Sequence, residues 1–241
     1  MAKGQTEEGR GPWFVISAAV VALVVVAALV LTAVNVFGGS EDSQAKPKGE
    51  GSSSKSENES VCGLKPGKSS ETTLTSAPPK TEWRLVDRMA APKVEGSGPG
   101  KIEDDQFGYC FAQSPTGAVV AAANIGASTN SSERQVKTYD KLAVPGPGRD
   151  KILKSLKQGD PGTGAPEGVS VQIAGFKVQR YSAKEATVDL AVEVDGESYM
   201  SAPMDLRWVD GDWKVVVNDD GTVYDSQPLS DLSGYVIWSG A

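Results

Sequence analysis

The chain has 241 residues, with 24 Lys and Arg against 31 Asp and Glu, no histidine and two cysteines. Without histidine, a Ser-His-Asp triad, a histidine base and the usual Cys/His zinc site are excluded. A formal net charge of −7 argues against a nucleic-acid partner, which would require a basic footprint.

Residues 1–12 form a short tail with Lys3 and Arg10. Residues 13–37 are then predominantly apolar, without a single charge. A bilayer core about 30 Å thick is crossed by about 20 apolar residues in a helix, so this run predicts one membrane-spanning helix with some tilt. The run exceeds the roughly 7–15 apolar residues of a signal peptide, and Val34-Asn35-Val36 is not a small-residue cleavage site. The segment is therefore expected to remain as an anchor. Its orientation is nearly tied by flanking charge, with Lys46 and Lys48 following it. The cysteines tilt the balance. Cys62 and Cys110 both follow the segment, two are what one disulfide needs, and disulfides persist outside the cytosol. The alternative is two unrelated buried thiols. The expected topology is a cytoplasmic N-terminus, a single pass of the cell membrane and an extracytoplasmic domain.

Residues 38–60 are rich in Gly, Ser and charge and offer nothing to bury, so a disordered linker is predicted there. The domain is expected over 61–241. A short strand is predicted around Trp83-Arg84-Leu85-Val86, followed by loops at Ala91-Pro92 and through Gly98-Pro99-Gly100. Ser114 and Pro115 read as the N-cap and first position of a helix. That helix continues through Ala118–Ile125, apolar on nearly every side, and is expected to be buried. Two more polar helices are predicted over 133–142 and 149–157.

From Val169 the period changes to two. Val171 and Ile173 lie in one phase, Phe176 and Val178 in the other. A bulge at Ala174-Gly175 would reconcile them. Further strands follow over 186–194, 200–208 and 213–217. At Asp210-Gly211 a two-residue turn sets Trp208 opposite Trp213 and Leu206 opposite Val215, so the apolar faces agree. At Asp195-Gly196 face agreement requires three residues, read as 194–196, with Leu190 opposite Met200. Pro203 lacks a donor and is expected where the strand is bulged or edge-like. The fold class is α+β: about three helices packed in the concave face of a curved antiparallel sheet.

This order resembles the nuclear-transport-factor-2-like (cystatin-like) fold, and Leu206-Arg207-Trp208-Val209-Asp210-Gly211-Asp212-Trp213-Lys214-Val215 is similar to that fold's last hairpin. Tail, membrane helix, linker and such a domain together resemble the membrane scaffold proteins of type IV secretion and conjugation systems. Separately, Cys110-Phe111-Ala112-Gln113-Ser114-Pro115-Thr116-Gly117-Ala118 resembles a motif of an actinobacterial membrane-anchored domain of unknown function, which also tends to carry a tryptophan near Trp83 and a Gly-Pro pair such as Gly98-Pro99.

Candidate sites are few. Glu103-Asp104-Asp105, and Asp219-Asp220 with Asp225, are carboxylate clusters, which read first as solvated turns and second as a glycosidase pair. The run 218–225 lacks the terminal Glu of a calcium loop. No catalytic residue, cofactor or metal ligand is assigned. Tyr235 and Trp238 are the candidate partner surface, the alternative being a terminal clip packed on the domain. Small residues four apart, Ala18/Ala22 and Ala28/Thr32, permit homo-oligomerisation in the membrane. The resemblances imply a non-enzymatic scaffold or assembly subunit, of a conjugative transfer complex or another envelope assembly. The alternatives are an anchored binding module holding a small ligand or polymer in the cone and, third, an enzyme.

Overall fold

The computed structural model describes residues 58–68 and 70–240. The tail, the predicted membrane segment 13–37 and the linker up to residue 57 lie outside the described residues, and no helix among those described is long and apolar enough to cross a membrane. Order is already present at Ser60. Its side chain is fully buried, its Oγ accepts from the Leu64 N–H at 2.7 Å, and the next N–H, of Val61, donates to Gly211 O.

The first hairpin pairs β1 (Glu82–Val86) with β2 (Met89–Lys93), and the second pairs β3 (Lys101–Ile102) with β4 (Gly108–Tyr109). Helix α1 spans Pro115–Thr129, α2 Ser132–Leu142 and α3 Pro147–Lys157. The Ser114 side chain accepts from the Gly117 N–H, as the Ser-Pro start implies; such a cap contributes about 1 kcal/mol. Helix α3 starts two residues before the expected 149, because Pro147 takes a first-turn position rather than ending a loop.

The main sheet is antiparallel. It contains β5 (Val171–Tyr181), β6 (Glu185–Val194), β7 (Ser198–Val209), β8 (Asp212–Val215), β9 (Gln227–Leu229) and β10 (Val236–Ile237), ordered β10-β5-β6-β7-β8 with β9 also on β7. The register shift between Ile173 and Gly175 is the expected bulge. A second shift between Val178 and Arg180 bends β5 again, so Tyr181 returns to the face of Val178. The turn at Asp210-Gly211 pairs Trp208 with Trp213 and Leu206 with Val215, as parity requires.

The hairpin at Asp195-Gly196 does have three loop residues, but they are 195–197, and Leu190 faces Ala202 rather than Met200. Asp195 and Gly196 both take left-handed backbone, with φ of 53° and 72°, and Val194 O accepts from the Glu197 N–H at 3.1 Å. These two residues fill the centre of the tight turn, so the extra residue falls after them. Pro203 lies on the stretch of β7 between the part paired with β9 and the part paired with β8, where no ladder donor is needed.

Helix α1 is the core. Residues Ala118–Ala123 and Ile125 are all fully buried, and α1 touches β2, β5, β6, β7, β8 and α2. Opposite it the sheet contributes Phe176, Val188, Leu190, Met204, Leu206 and Trp213, all at most 2% exposed.

Candidate functional site

The two ends of α1 meet different surroundings. At its N-terminus the chain is locked. Cys62 and Cys110 form a disulfide with Cα atoms 6.1 Å apart. Asp212, 4% exposed, accepts from the N–H groups of Cys110 at 2.7 Å, Phe111 at 2.8 Å and Trp213 at 2.9 Å. Burial pushes its carboxyl up to about 6, against the pull of these three donors. The Trp213 indole N–H donates to Ala112 O at 2.9 Å, and a Cβ on Gly117 would lie 1.9 Å from that same oxygen. Gln113 donates to Ala183 O. The run Cys110–Ala118 thus serves as a clasp between the start of α1 and the last hairpin; each of its conspicuous residues has a packing or hydrogen-bonding role.

At the C-terminal end of α1 there is space. A cavity of about 280 Å³ lies between Gly126 and Asn130 of the helix region and Leu190, Val192, Met200, Ala202 and Met204 of the sheet. Residues 163–166, Tyr224 and Ser226 close it on another side, Met89, Val169, Val171 and Val194 also line it, and no charged side chain does. The loop 158–170 has no regular structure of its own, so its polar backbone must be bonded by others. Gln135, fully buried, accepts from the Thr163 N–H at 3.0 Å and donates to Pro161 O at 3.1 Å. Asn130 Oδ1 accepts from the Ala165 N–H at 3.2 Å. The Tyr139 and Thr163 hydroxyls are 2.6 Å apart, and Tyr224 OH donates to Thr163 O. Burial and the neighbouring Tyr224 raise the Tyr139 hydroxyl well above its ordinary range. Asn130 itself is 7% exposed, and its Nδ2 has no partner among the described residues. A second, polar cleft of about 560 Å³ shares Asn130 and residues 164–166 with the first and is lined by Arg88, Glu133 and Glu167.

The residues singled out in the sequence are not at this cavity. Glu103 and Asp105 are both bound by Lys137, at 2.7 and 2.6 Å, and Lys141 also binds Glu103. These lysine hydrogen bonds hold both carboxyls below the ordinary range. Asp220 accepts from Thr222, and Asp225 from Gln227. Among the described residues no group of three or more potential ligands could hold a metal ion. Trp238 is 4% exposed, packs at a tilt against Trp83 at 5.0 Å and edge-on against Phe176 at 5.3 Å, and donates to Thr81 Oγ1. Tyr235 OH donates to Asp189 Oδ2 at 2.7 Å. Asn130, Thr163 and Tyr224 were not anticipated. The one local signal was a polar Asn at the end of a helix apolar on nearly every side.

No curated protein and no solved structure matches the chain. A family model described as a domain of unknown function (DUF8175) matches residues 42–237. The chain is a member of that family.

Proposed function

We propose that this protein is a non-enzymatic, membrane-anchored binding module whose extracytoplasmic domain holds a small apolar ligand between α1 and the sheet. The observation that carries the reading is the 280 Å³ cavity at the end of α1, near the lower limit of the roughly 300–1,000 Å³ of small-molecule sites. The anchor rests on the apolar run 13–37, and the disulfide supports an oxidising compartment for the domain. Three helices ahead of a bulged antiparallel sheet support the resemblance to the nuclear-transport-factor-2-like fold. Glu103 and Asp105, both held by lysines, support a non-catalytic role for that cluster.

The test is native mass spectrometry of the full chain extracted from membranes. The wild type should carry a small molecule that Gly126→Leu, which projects into the cavity, does not. A wild-type chain that is bare under the same extraction counts against the reading.

A second reading, a scaffold subunit of an envelope or conjugative transfer complex, is favoured by Leu85 and Ile237. They remain 65% and 60% exposed on strands next to the half-buried Trp83 and the buried Trp238. Photo-crosslinkers at these two positions in intact membranes should then capture one defined partner.

A further inference from the structure

We infer that the ligand of this cavity is an uncharged, chiefly aliphatic group bearing one hydrogen-bond-acceptor oxygen, and that Asn130 is the residue that reads that oxygen. The inference rests on the binding-module reading and specifies its ligand.

Three observations converge. The first is the wall. Leu190, Val192, Met200, Ala202 and Met204 give an aliphatic surface, and no Asp, Glu, Lys or Arg faces the space to neutralise a charged ligand. An ionised head placed there would be stripped of water with nothing in return.

The second is the amide of Asn130. It is more than nine-tenths buried, and the Ala165 N–H must point at an acceptor, which fixes the amide oxygen on that side. The nitrogen is left with both protons unspent among the described residues, on a side chain that lines both this cavity and the polar cleft beside it. A buried donor without a partner calls for an acceptor. The neighbouring polar groups are already committed: Tyr224 OH to Thr163 O, and the Thr163 hydroxyl to Tyr139. Ser226, the other polar side chain on the lining, is exposed and marks the mouth.

The third is size. At about 30 Å³ per water-sized group the space takes on the order of nine such groups, which suits a medium-chain acyl ester or amide. That chemistry is shared by a free small molecule and by an acyl chain of a membrane lipid.

The experiment uses the full chain, held in lipid-free peptide scaffolds and, in a second arm, in phosphatidylcholine nanodiscs. Calorimetric titration compares methyl octanoate, octanoate and octylammonium, which match in length and differ in charge. In the lipid-free arm methyl octanoate should bind at least tenfold more tightly than either ion. A loss of that binding in nanodiscs assigns the acyl source to lipid; equal binding in both arms assigns it to a free molecule. Asn130→Asp keeps an acceptor for the Ala165 N–H but replaces the donor, and should weaken the ester at least tenfold. Should that variant not fold, the wild type still decides, since the side-chain amide protons of Asn130 should shift on adding the ester and stay in place on adding octylammonium. Octanoate or octylammonium binding as tightly as the ester overturns the ligand class and leaves the binding module standing. No binding by any of the three overturns both.

Discussion

The two ends of α1 sit under the same sheet and on the same helix, yet one is filled and the other is not. At the N-terminal end the space is closed by side chains. Trp213 is fully buried, with Trp208 at 5.4 Å and Tyr181 at 5.9 Å. At the C-terminal end it is closed by a Gly- and Pro-rich backbone segment, 158–170. Aromatic rings bring volume and few polar atoms. A loop brings little volume and many polar atoms, each of which must be bonded. That difference explains both the void beside Leu190 and Met200 and the row of Asn130, Gln135 and Tyr139 spent on holding the loop. A packed end and a wall of bonded backbone are what a rigid grip on a soft pocket requires.

The contrast can be broken most strongly at the packed end. Replacing both Cys62 and Cys110 by Ala releases a link between residues 48 apart, and the chain-entropy model puts the cost at about 4 kcal/mol. Urea unfolding of the oxidised parent and the double variant measures it. A midpoint unchanged between the two would mean that the clasp does not depend on the bond.

Asp212→Ala is next. It strands three N–H groups, those of Cys110, Phe111 and Trp213, where water cannot reach, with an expected loss of about 3 kcal/mol. The same residue gives a pH signature. Its folded carboxyl is pushed up to about 6 from 3.8. Its contribution to stability is therefore full below about pH 4 and is lost as pH rises through 6. The carboxyl carbon of Asp212 should titrate near pH 6 in a carbon-detected NMR series. Glu103 and Asp105, held low by lysine, act in the opposite sense as pH falls, so the site must be followed individually.

A pair of variants, third in size of effect, compares the two ends directly. Ala122→Phe lies in the fully buried run of α1 and should overpack, costing about 1–3 kcal/mol. Gly126→Leu points where the cavity is and should cost clearly less. Equal losses in melting temperature would erase the distinction drawn between the ends.

Much of the packed end was legible from the chain. Ser114-Pro115 announced the start of α1, and the apolar faces of Trp208 and Trp213 could agree only through a two-residue turn at Asp210-Gly211. The bulge at Ala174-Gly175 followed from a change of phase. Parity has a blind spot, however. A slip by two residues keeps every side chain on its face, so it could not tell Leu190 opposite Met200 from Leu190 opposite Ala202, and the φ values of Asp195 and Gly196 decided that. The open end left no comparable trace. Its sheet side is periodic, but it is closed by residues 163–166, which have no period, and by Asn130, whose importance comes from an Ala165 N–H 35 positions away. Likewise Trp238, an aromatic near a chain end, could be read as a contact surface until its ring was seen between Trp83 and Phe176.

The smallest change is the sharpest probe of the boundary between the ends. Gly126 lies inside α1 at an ordinary helical position, one turn before Asn130, and lines the cavity. A Cβ built there would meet only Leu190 Cδ1, at 3.6 Å, which is normal van der Waals contact. Glycine inside a helix costs about 0.5–1 kcal/mol relative to alanine, because more backbone freedom is lost on folding. Gly126→Ala should therefore stabilise the domain by up to about 1 kcal/mol while trimming the cavity by one methyl group. Gly117→Ala in the same helix meets the carbonyl oxygen of Ala112 at 1.9 Å and should destabilise, since backbone cannot move aside there. Opposite signs for one substitution at the two ends of one helix, read as melting temperatures, would show that the free volume is confined to the C-terminal end. Two losses would mean that the wall at Gly126 is tighter than its neighbours indicate. A stabilised Gly126→Ala that also loses its ligand would place the methyl group in the ligand's path, and the glycine would then be kept for binding at a cost in stability.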